Sequence, residues 1–428
     1  MKTLDGREFI PEIPKQLQAI AEDIQQAGGR SYLVGGWVRD AILGTPCRDF
    51  DVEVYELEQD VLLEILSHYG RPNLVGKAFG VIILPLKGFS IDISFPRTES
   101  KVGEGHRGFL VQTHTHMTFK EAAYRRDFTI NSMGMELPSL TLCDPYNGKQ
   151  DLQERILRHV SPAFAEDSLR VLRGVQFASR FQLSLAPETA ALCRTLSIED
   201  LSFERIFEEF RKWFLKSGQP SLGLKAFLQM DLQRFFPEIK PLDGSWDLLG
   251  LYLDRLQASF KGLPETDRLV LAFTVLLSEN ESEAAVLAFL ERISNEIKIL
   301  HGVPRLWGGL SSLLPQKECP SDAYIRRLSL RLNGLVLAEC YCLADPRYSL
   351  EQKEAFFIPL MQRAKELGVF QLPPAPLLTG KILMQIGLRP GKFFGEWIAE
   401  SFELQLDGKI QSEDEVLVWA QKKRATST

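Results

Sequence analysis

The first 150 residues mix short apolar runs with amphipathic stretches, whereas beyond about residue 160 apolar positions recur at helical spacing, punctuated by Gly and Pro. This contrast predicts an α/β head followed by an all-α remainder. Pro14 to Ala27 has helical spacing and runs into Gly28-Gly29, which suits a helix stop. A short apolar strand is expected at Ser31 to Val34, broken by Gly35-Gly36, with a helix from Trp37 to Leu43 closed by Gly44. From Asp49 to Tyr55, Asp49, Asp51 and Glu53 alternate with Phe50, Val52 and Val54, the period of a strand. Strands at Gly80 to Leu86 and Ser90 to Phe95 precede a stretch rich in Gly and charge, Pro96 to Met117, expected to be a mobile loop. Thr118 then opens a helix, with Glu121 three residues on as in a capping box.

Composition narrows the class without naming a chemistry. The 428 residues, 45% hydrophobic and 25% charged, fit a folded chain of about two to four domains. The N-terminus, MKTLDGREFIPEIPKQLQ, has charges where a secretory signal needs an apolar core. The longest apolar run, Leu269 to Leu277, falls well short of the roughly 18 residues of a spanning helix, so it reads as a buried helix and no membrane contact is expected. Cys47, Cys143, Cys193, Cys319, Cys340 and Cys342 show no metal-ligand spacing; reduced thiols in a cytoplasm are expected. The net charge of −6 gives no global attraction for a polyanion, so any RNA contact must come from local basic patches.

Candidate chemistry lies in the head. Asp49 and Asp51, two apart on a strand, project from one face and can hold Mg²⁺ against a triphosphate. Asp92, in the strand expected at Ser90 to Phe95 and placed as a neighbour, can complete a catalytic set. The alternative is a solvated outer face, the reading given to Glu53. Gly35 and Gly36 stand between a strand and a helix, where backbone N–H groups can approach phosphates closely, unless the pair is only a turn. Arg39 lies one turn inside that helix. Glu166, Arg170 and Arg173 have i, i+4, i+7 spacing with Asp167 beside them, either an exposed salt-bridge stripe or a recognition face.

The run LVGGWVRDAILGTPCRDFD, residues 33–51, resembles the first motif of the class II tRNA nucleotidyltransferases and bacterial poly(A) polymerases. The later motifs follow in order: YRRDFTINSM (124–133), DPYNGKQDLQERILR (144–158), AEDSLRVLRGVQFASRF (165–181) and ERIFEEFRKWF (204–214). The resemblance implies a polymerase β-like nucleotidyltransferase head with a mixed β-sheet at residues 1–150. An all-α neck (151–225), body (226–345) and tail (346–428) would follow. It implies that Arg126, Asp127 and Asn131 contact the incoming ribose and phosphates. Asp167 and Arg170 would read the base edge, with Glu166 orienting Arg170 and Arg173 assisting. Arg126 and Arg39 are natural triphosphate clamps or, alternatively, structural ion-pair donors. Ser132 and Ser168 depart from the family pattern, standing where Ala and Pro are frequent.

The implied reaction is Mg²⁺-dependent, template-independent addition of CCA to the 3′ end of tRNA from CTP and ATP. A CC-only, A-only or poly(A)-adding sibling shares every motif, and a non-enzymatic RNA binder is a third reading. Residues 96–109 then become either a lid or an ordinary surface loop, with His106, His114 and His116 as loop surface rather than zinc ligands. The helical part would grip the acceptor and TΨC arms of tRNA. Arg326-Arg327 and Lys422 to Arg424 are candidate patches, or else solvated helix faces. With no His-Asp dipeptide in the chain, an appended metal phosphohydrolase domain is not expected.

Overall fold

The computed structural model describes residues 13–75, 81–101, 109–113, 117–260, 262–310, 313, 315 and 320–426. They form two compact units, Met1–Phe236 and Pro237–Thr428. The segments expected as head and neck thus share one unit, which runs past residue 225.

In the first unit, α1 (Lys15–Gln26) buries Leu17, Ile20, Ala21 and Ile24, the i, i+3, i+4, i+7 stripe that its sequence carries. It leads through Gly28, at φ +89°, into β1 (Arg30–Val34). Gly35 at φ +66° turns the chain into α2 (Gly36–Leu43), which ends at Gly44 in the left-handed conformation. The first sheet continues with β2 (Phe50–Tyr55), then, after α3 (Gln59–Ser67), with β3 (Asn73–Val75), β4 (Val81–Leu86) and β5 (Phe89–Ser94). Residues 97–113 contribute a two-stranded antiparallel sheet, β6 (Arg97–Lys101) with β7 (Phe109–Thr113), where the sequence suggested only a loop; the lid assignment and the three histidines lie largely outside the described residues. Arg97–Lys101 is polar throughout and shows no alternation, so its pairing with Phe109–Thr113 had no signal in the hydrophobic pattern.

Helix α4 (Phe119–Tyr124) starts at the capping box that the sequence foretold, with Thr118 and Glu121 bonding reciprocally. A 3-10 turn at Thr129–Asn131 leads to β8 (Gly134–Leu137) and β9 (Thr141–Cys143). The seven-stranded sheet has the order β3-β4-β5-β2-β1-β8-β9. Within this sheet, among the described residues, only β2 and β5 pair in parallel, a relation that the intervening β3 and β4 allow by bringing the chain back through a crossover. The sheet is therefore mixed.

Beyond β9 the unit is helical: α5 (Gly148–Gln153), α6 (Leu169–Phe181), α7 (Pro187–Arg194), α8 (Phe203–Leu215) and α9 (Pro220–Gln229). Its only described strands there are the two-residue β10 (Ile156–Leu157) and β11 (Ser184–Leu185). Asp144 accepts from the backbone N–H groups of Gly148 and Lys149 at 2.7 and 2.9 Å, pinning the start of α5. A Cβ on Gly148 would stand 2.1 Å from the Thr129 carbonyl oxygen. Gly148→Ala is therefore expected to lower stability by about 1–3 kcal/mol, read as a fall in the urea midpoint; an unchanged midpoint would mean that the turn yields freely.

The second unit contains α10 (Trp246–Ala258), α11 (Glu265–Leu276), α12 (Glu283–Ile293), α13 (Ile297–Leu310), α14 (Asp322–Leu332) and α15 (Val336–Ala344). It ends with α16 (Leu350–Gln352), α17 (Ile358–Glu366), α18 (Gly380–Gln385), α19 (Phe393–Leu406) and α20 (Glu413–Thr426). The apolar run from Leu269 is buried throughout α11, as its composition required. Among the described residues no helix is long and apolar enough to cross a membrane.

The two basic patches are structural in part. Arg326 donates to the Leu406 carbonyl, and Arg327 pairs with Glu403 and Asp407, which fastens α14 to α19. Lys423 pairs with Glu400 and lies over the Trp397 and Trp419 rings, while Arg424 caps the end of α18 at the Ile386 carbonyl. Neither patch is simply a solvated face.

Candidate active site

The period of β2 sets the first wall of a cleft. Phe50, Val52 and Val54 are buried, so Asp51 and Glu53 share the opposite face. Asp92 on β5 is the register partner of Asp51 in the parallel ladder, so the two carboxylates stand side by side on neighbouring strands. Asp49 precedes β2. The Gly35 bend faces this pair: a Cβ there would lie 3.9 Å from Asp51 Oδ2. Asp51, Asp92 and Gly35 line a cleft of about 580 Å³, within the range of small-molecule sites.

Burial, and then the negative charges of Asp92 and Asp49, push the Asp51 carboxyl above its ordinary pKa. A cation placed against Asp51 would offset this repulsion. Among the described residues no group of three or more His, Cys, Asp or Glu side chains is placed to hold a metal ion. An open carboxylate edge is nonetheless what Mg²⁺ tolerates best, since it keeps several waters and binds through one or two carboxylates plus phosphate oxygens.

The second wall comes from the residues after α4. Asp127 is 6% exposed and accepts from the Phe128 N–H at 2.7 Å, Asn131 Nδ2 at 3.1 Å and Arg173 Nε at 2.8 Å. Burial alone would raise its pKa, but the Arg173 charge and these donors outweigh burial and hold the carboxyl below its ordinary value. The stability that this gives is complete above the ordinary value of 3.8 and is lost as pH falls through the lower folded value. Asp127→Asn should cost about 2 kcal/mol at pH 7, less than for a sealed pair because Arg173 opens to the cleft, and should flatten the acid limb of stability. Urea unfolding between pH 7 and pH 3 checks this; an acid limb identical to that of the parent would refute it.

Several side chains depart from the expected roles. Arg39, read as a possible phosphate contact, is 4% exposed. Its guanidinium donates to Asp40 at 2.8 Å and Asn131 Oδ1 at 2.6 Å, and lies 4.1 Å from the Phe181 ring centroid. Arg39 thus positions Asn131 rather than facing the cleft, because helix α2 turns it inward against α6. Gly36 starts α2, and its Cβ position lies 3.3 Å from Arg39 Nη2. Glu53, assigned to a solvated face, instead accepts from Arg126 Nη2 at 2.8 Å and from the Tyr55 hydroxyl at 2.7 Å. Arg126 lines the cleft and also donates to the Asn131 and Met133 carbonyls.

Glu166, Asp167, Arg170 and Arg173 all line the same cleft, but not as one helical stripe. Glu166 closes a 3-10 turn, Pro162–Glu166, and Asp167 is extended at φ −130°, ψ 104°. The helix starts only at Leu169, because Asp167 Oδ1 takes the Leu169 N–H, a bond that competes with helical pairing. Glu166 does not orient Arg170: it pairs with Arg125 at 3.0 Å. Arg170 is held by the Ala163 and Arg125 carbonyls at 2.8 and 2.7 Å. The two Ser departures fit locally, Ser132 donating to the Thr129 carbonyl and Ser168 to Asp200.

Sequence reasoning missed Arg125 and Arg205. Both line the cleft, and Arg205 pairs with both Asp167 oxygens. Their positions inside the second and fifth motifs were the available signal.

The family described as "Poly A polymerase head domain" matches residues 31–158. That described as "Probable RNA and SrmB- binding site of polymerase A" matches residues 182–242. A Multifunctional CCA protein of Xanthomonas campestris pv. campestris (strain B100) is 42% identical over 221 residues, 50% of this chain and 52% of that one. One from Azoarcus sp. (strain BH72) is 40% identical over 221 residues, 50% and 52% of the two chains. The chain thus spans about half the length of the curated relatives it matches. The fold is that of the Thermotoga maritima CCA-adding enzyme complexed with tRNA, with a TM-score of 0.66, 23% identity and 97% of each chain covered. The Bacillus stearothermophilus CCA-adding enzyme in complex with CTP gives a TM-score of 0.67 at 22% identity, covering 96% of this chain and 98% of that one.

Proposed function

We propose that this chain, whose residues 31–158 match the poly A polymerase head-domain family, adds C, C and A to the 3′ end of tRNA from CTP and ATP without a nucleic-acid template. The observation that carries the reading is the sharing of one cleft by the Asp51–Asp92 carboxylate pair and the Asp167 and Arg170 side chains. The first suits phosphoryl chemistry and the second a base edge. The names of the relatives, which are CCA proteins and CCA-adding enzymes, support the same assignment.

Asp51 and Asp92, with Asp49 close by, would hold Mg²⁺, which when bound supplies charge neutralisation at the α-phosphate and the departing pyrophosphate. Gly35 and Gly36 bring backbone close to the triphosphate, and Arg126 offers its guanidinium to the phosphates from beside Glu53. Asn131, steadied by Arg39 and Asp127, contacts the ribose. The tRNA 3′ hydroxyl attacks the α-phosphate in line, and positioning does most of the catalysis.

Cytosine and adenine each present an exocyclic amine beside an unprotonated ring nitrogen. Asp167 accepts from the amine while Arg170 donates to the nitrogen. Uracil and guanine reverse both partners. The helical regions, including residues 182–242, would hold the acceptor and TΨC arms through phosphates. A reducing cytoplasm suits the free cysteines among the described residues.

The test uses purified protein, Mg²⁺ and tRNA transcripts lacking the last one, two or three nucleotides, with CTP, ATP or both and products sized to one nucleotide. Completion of all three ends is expected. A stop after two C, addition of A only, or long A tails would assign the chain to a CC-adding, A-adding or poly(A)-adding sibling, and no incorporation at all would refute the enzymatic reading.

A further inference from the structure

We infer that Arg205, on α8, is the residue that aims the Asp167 carboxylate at the incoming base, and so sets how strictly the cleft chooses its nucleotide. The inference rests on the base-reading role proposed above for Asp167 and Arg170.

Asp167 lies outside α6 in extended backbone, so no helical geometry fixes the direction of its side chain. Its one local support is the Leu169 N–H, at 3.2 Å from Oδ1. The stronger hold comes from far along the chain: Arg205 Nη2 sits 3.1 Å from Oδ1 and 3.0 Å from Oδ2. A single guanidinium nitrogen bridging both oxygens turns the carboxylate toward Arg205 and holds it there by charge. It also leaves lone pairs unspent, since a carboxylate has about four acceptor sites. The pair is open to the cleft rather than sealed, with 27% and 29% of the two side chains exposed, so a base can reach Asp167 without displacing Arg205.

Arg205 can act as a fixed reference because its helix is anchored. Phe207, Phe210, Trp213 and Phe214 on α8 are buried, and the Trp213 indole donates to the Pro220 carbonyl at 3.2 Å. Without Arg205, Asp167 keeps only its local bond and can swing toward Arg170, which borders the same cleft. The acceptor and donor that should read the base would then satisfy each other. Arg205 is thus a positioning residue that acts through Asp167.

The experiment measures steady-state incorporation of CTP, ATP and UTP into tRNA transcripts by the parent protein, Arg205→Ala, Arg205→Lys, Asp167→Asn and the Arg205→Ala/Asp167→Asn double variant, with urea midpoints for each. For Arg205→Ala the expected result is a rise of about tenfold in KM for CTP and ATP, a smaller change in kcat, and weaker rejection of UTP. Lys, which keeps one charged donor, should restore part of the selectivity. The double variant should discriminate no worse than Asp167→Asn alone, because the two substitutions remove the same interaction. Parent-like selectivity in Arg205→Ala overturns the inference while leaving the proposed function intact. Additive losses in the double variant also overturn it, since Arg205 would then touch the base itself. So does a loss that Lys fails to relieve and that follows a lowered urea midpoint. If the parent protein incorporates nothing, the proposed function itself fails.

Discussion

Asp51→Asn should abolish nucleotide incorporation, by about 10³-fold or more, and at the same time make the cation-free protein more stable at neutral pH. Both effects follow from the placement of Asp51 beside Asp92 in the parallel β2–β5 ladder, with Asp49 close by. In the fold, burial and those two charges raise the Asp51 pKa, so above 3.8 the folded state binds its proton more tightly than the unfolded chain does. Stability therefore falls as pH rises from 3.8 through the folded value, and the penalty is complete above it. An amide at this position removes the penalty together with the means of holding a divalent ion. Urea unfolding in chelator between pH 4 and pH 8, alongside incorporation assays, tests both halves. An inactive but less stable variant would show that Asp51 is a structural ion-pair member, and an active one would remove it from the chemistry.

Arg170→Ala should lower the preference for CTP over UTP by about 10²-fold, because the donor proposed for the ring nitrogen is gone and a mismatched uracil no longer meets a competing donor. Arg170 also binds the Ala163 and Arg125 carbonyls, so a stability loss of about 1–2 kcal/mol should accompany the change. Affinity for tRNA should stay within about twofold, since the substitution leaves the phosphate contacts of the RNA untouched. Specificity constants for the four nucleotides and a tRNA filter-binding titration decide the matter. Selectivity preserved alongside weakened tRNA binding would move Arg170 from the base to the RNA.

The parts of this fold that depend on short-range pattern were legible in the sequence. Alternation gave β2, glycines with positive φ closed α1 and opened α2, and Thr118 with Glu121 capped α4. The adjacency of Asp92 to Asp51 was also readable, because it needs only two neighbouring strands. Long-range partners were not. Glu53 finds Arg126 across 73 residues and Arg39 finds Asn131 across 92, and nothing in the local spacing distinguishes these from solvated charges. The stripe from Glu166 to Arg173 misled for a different reason: helical spacing assumes a continuous helix, and the Asp167 side chain takes the Leu169 N–H just where the helix begins. Of the residues that the resemblance singled out, Asp49, Gly36 and Arg39 fall outside the cleft that the others line, and Glu166 pairs with Arg125 rather than Arg170.

The bond from Arg173 to Asp127 joins α6 to the sheet-bearing half of the first unit. A consequence concerns chimaeras: transplanting residues 165–181 alone from a relative of different nucleotide preference would bring in an arginine whose mate, 46 positions upstream, belongs to the recipient. Exchange of taste between such proteins should therefore travel in blocks that keep both ends of this link, and grafts cut between them should be born unstable before they are born promiscuous.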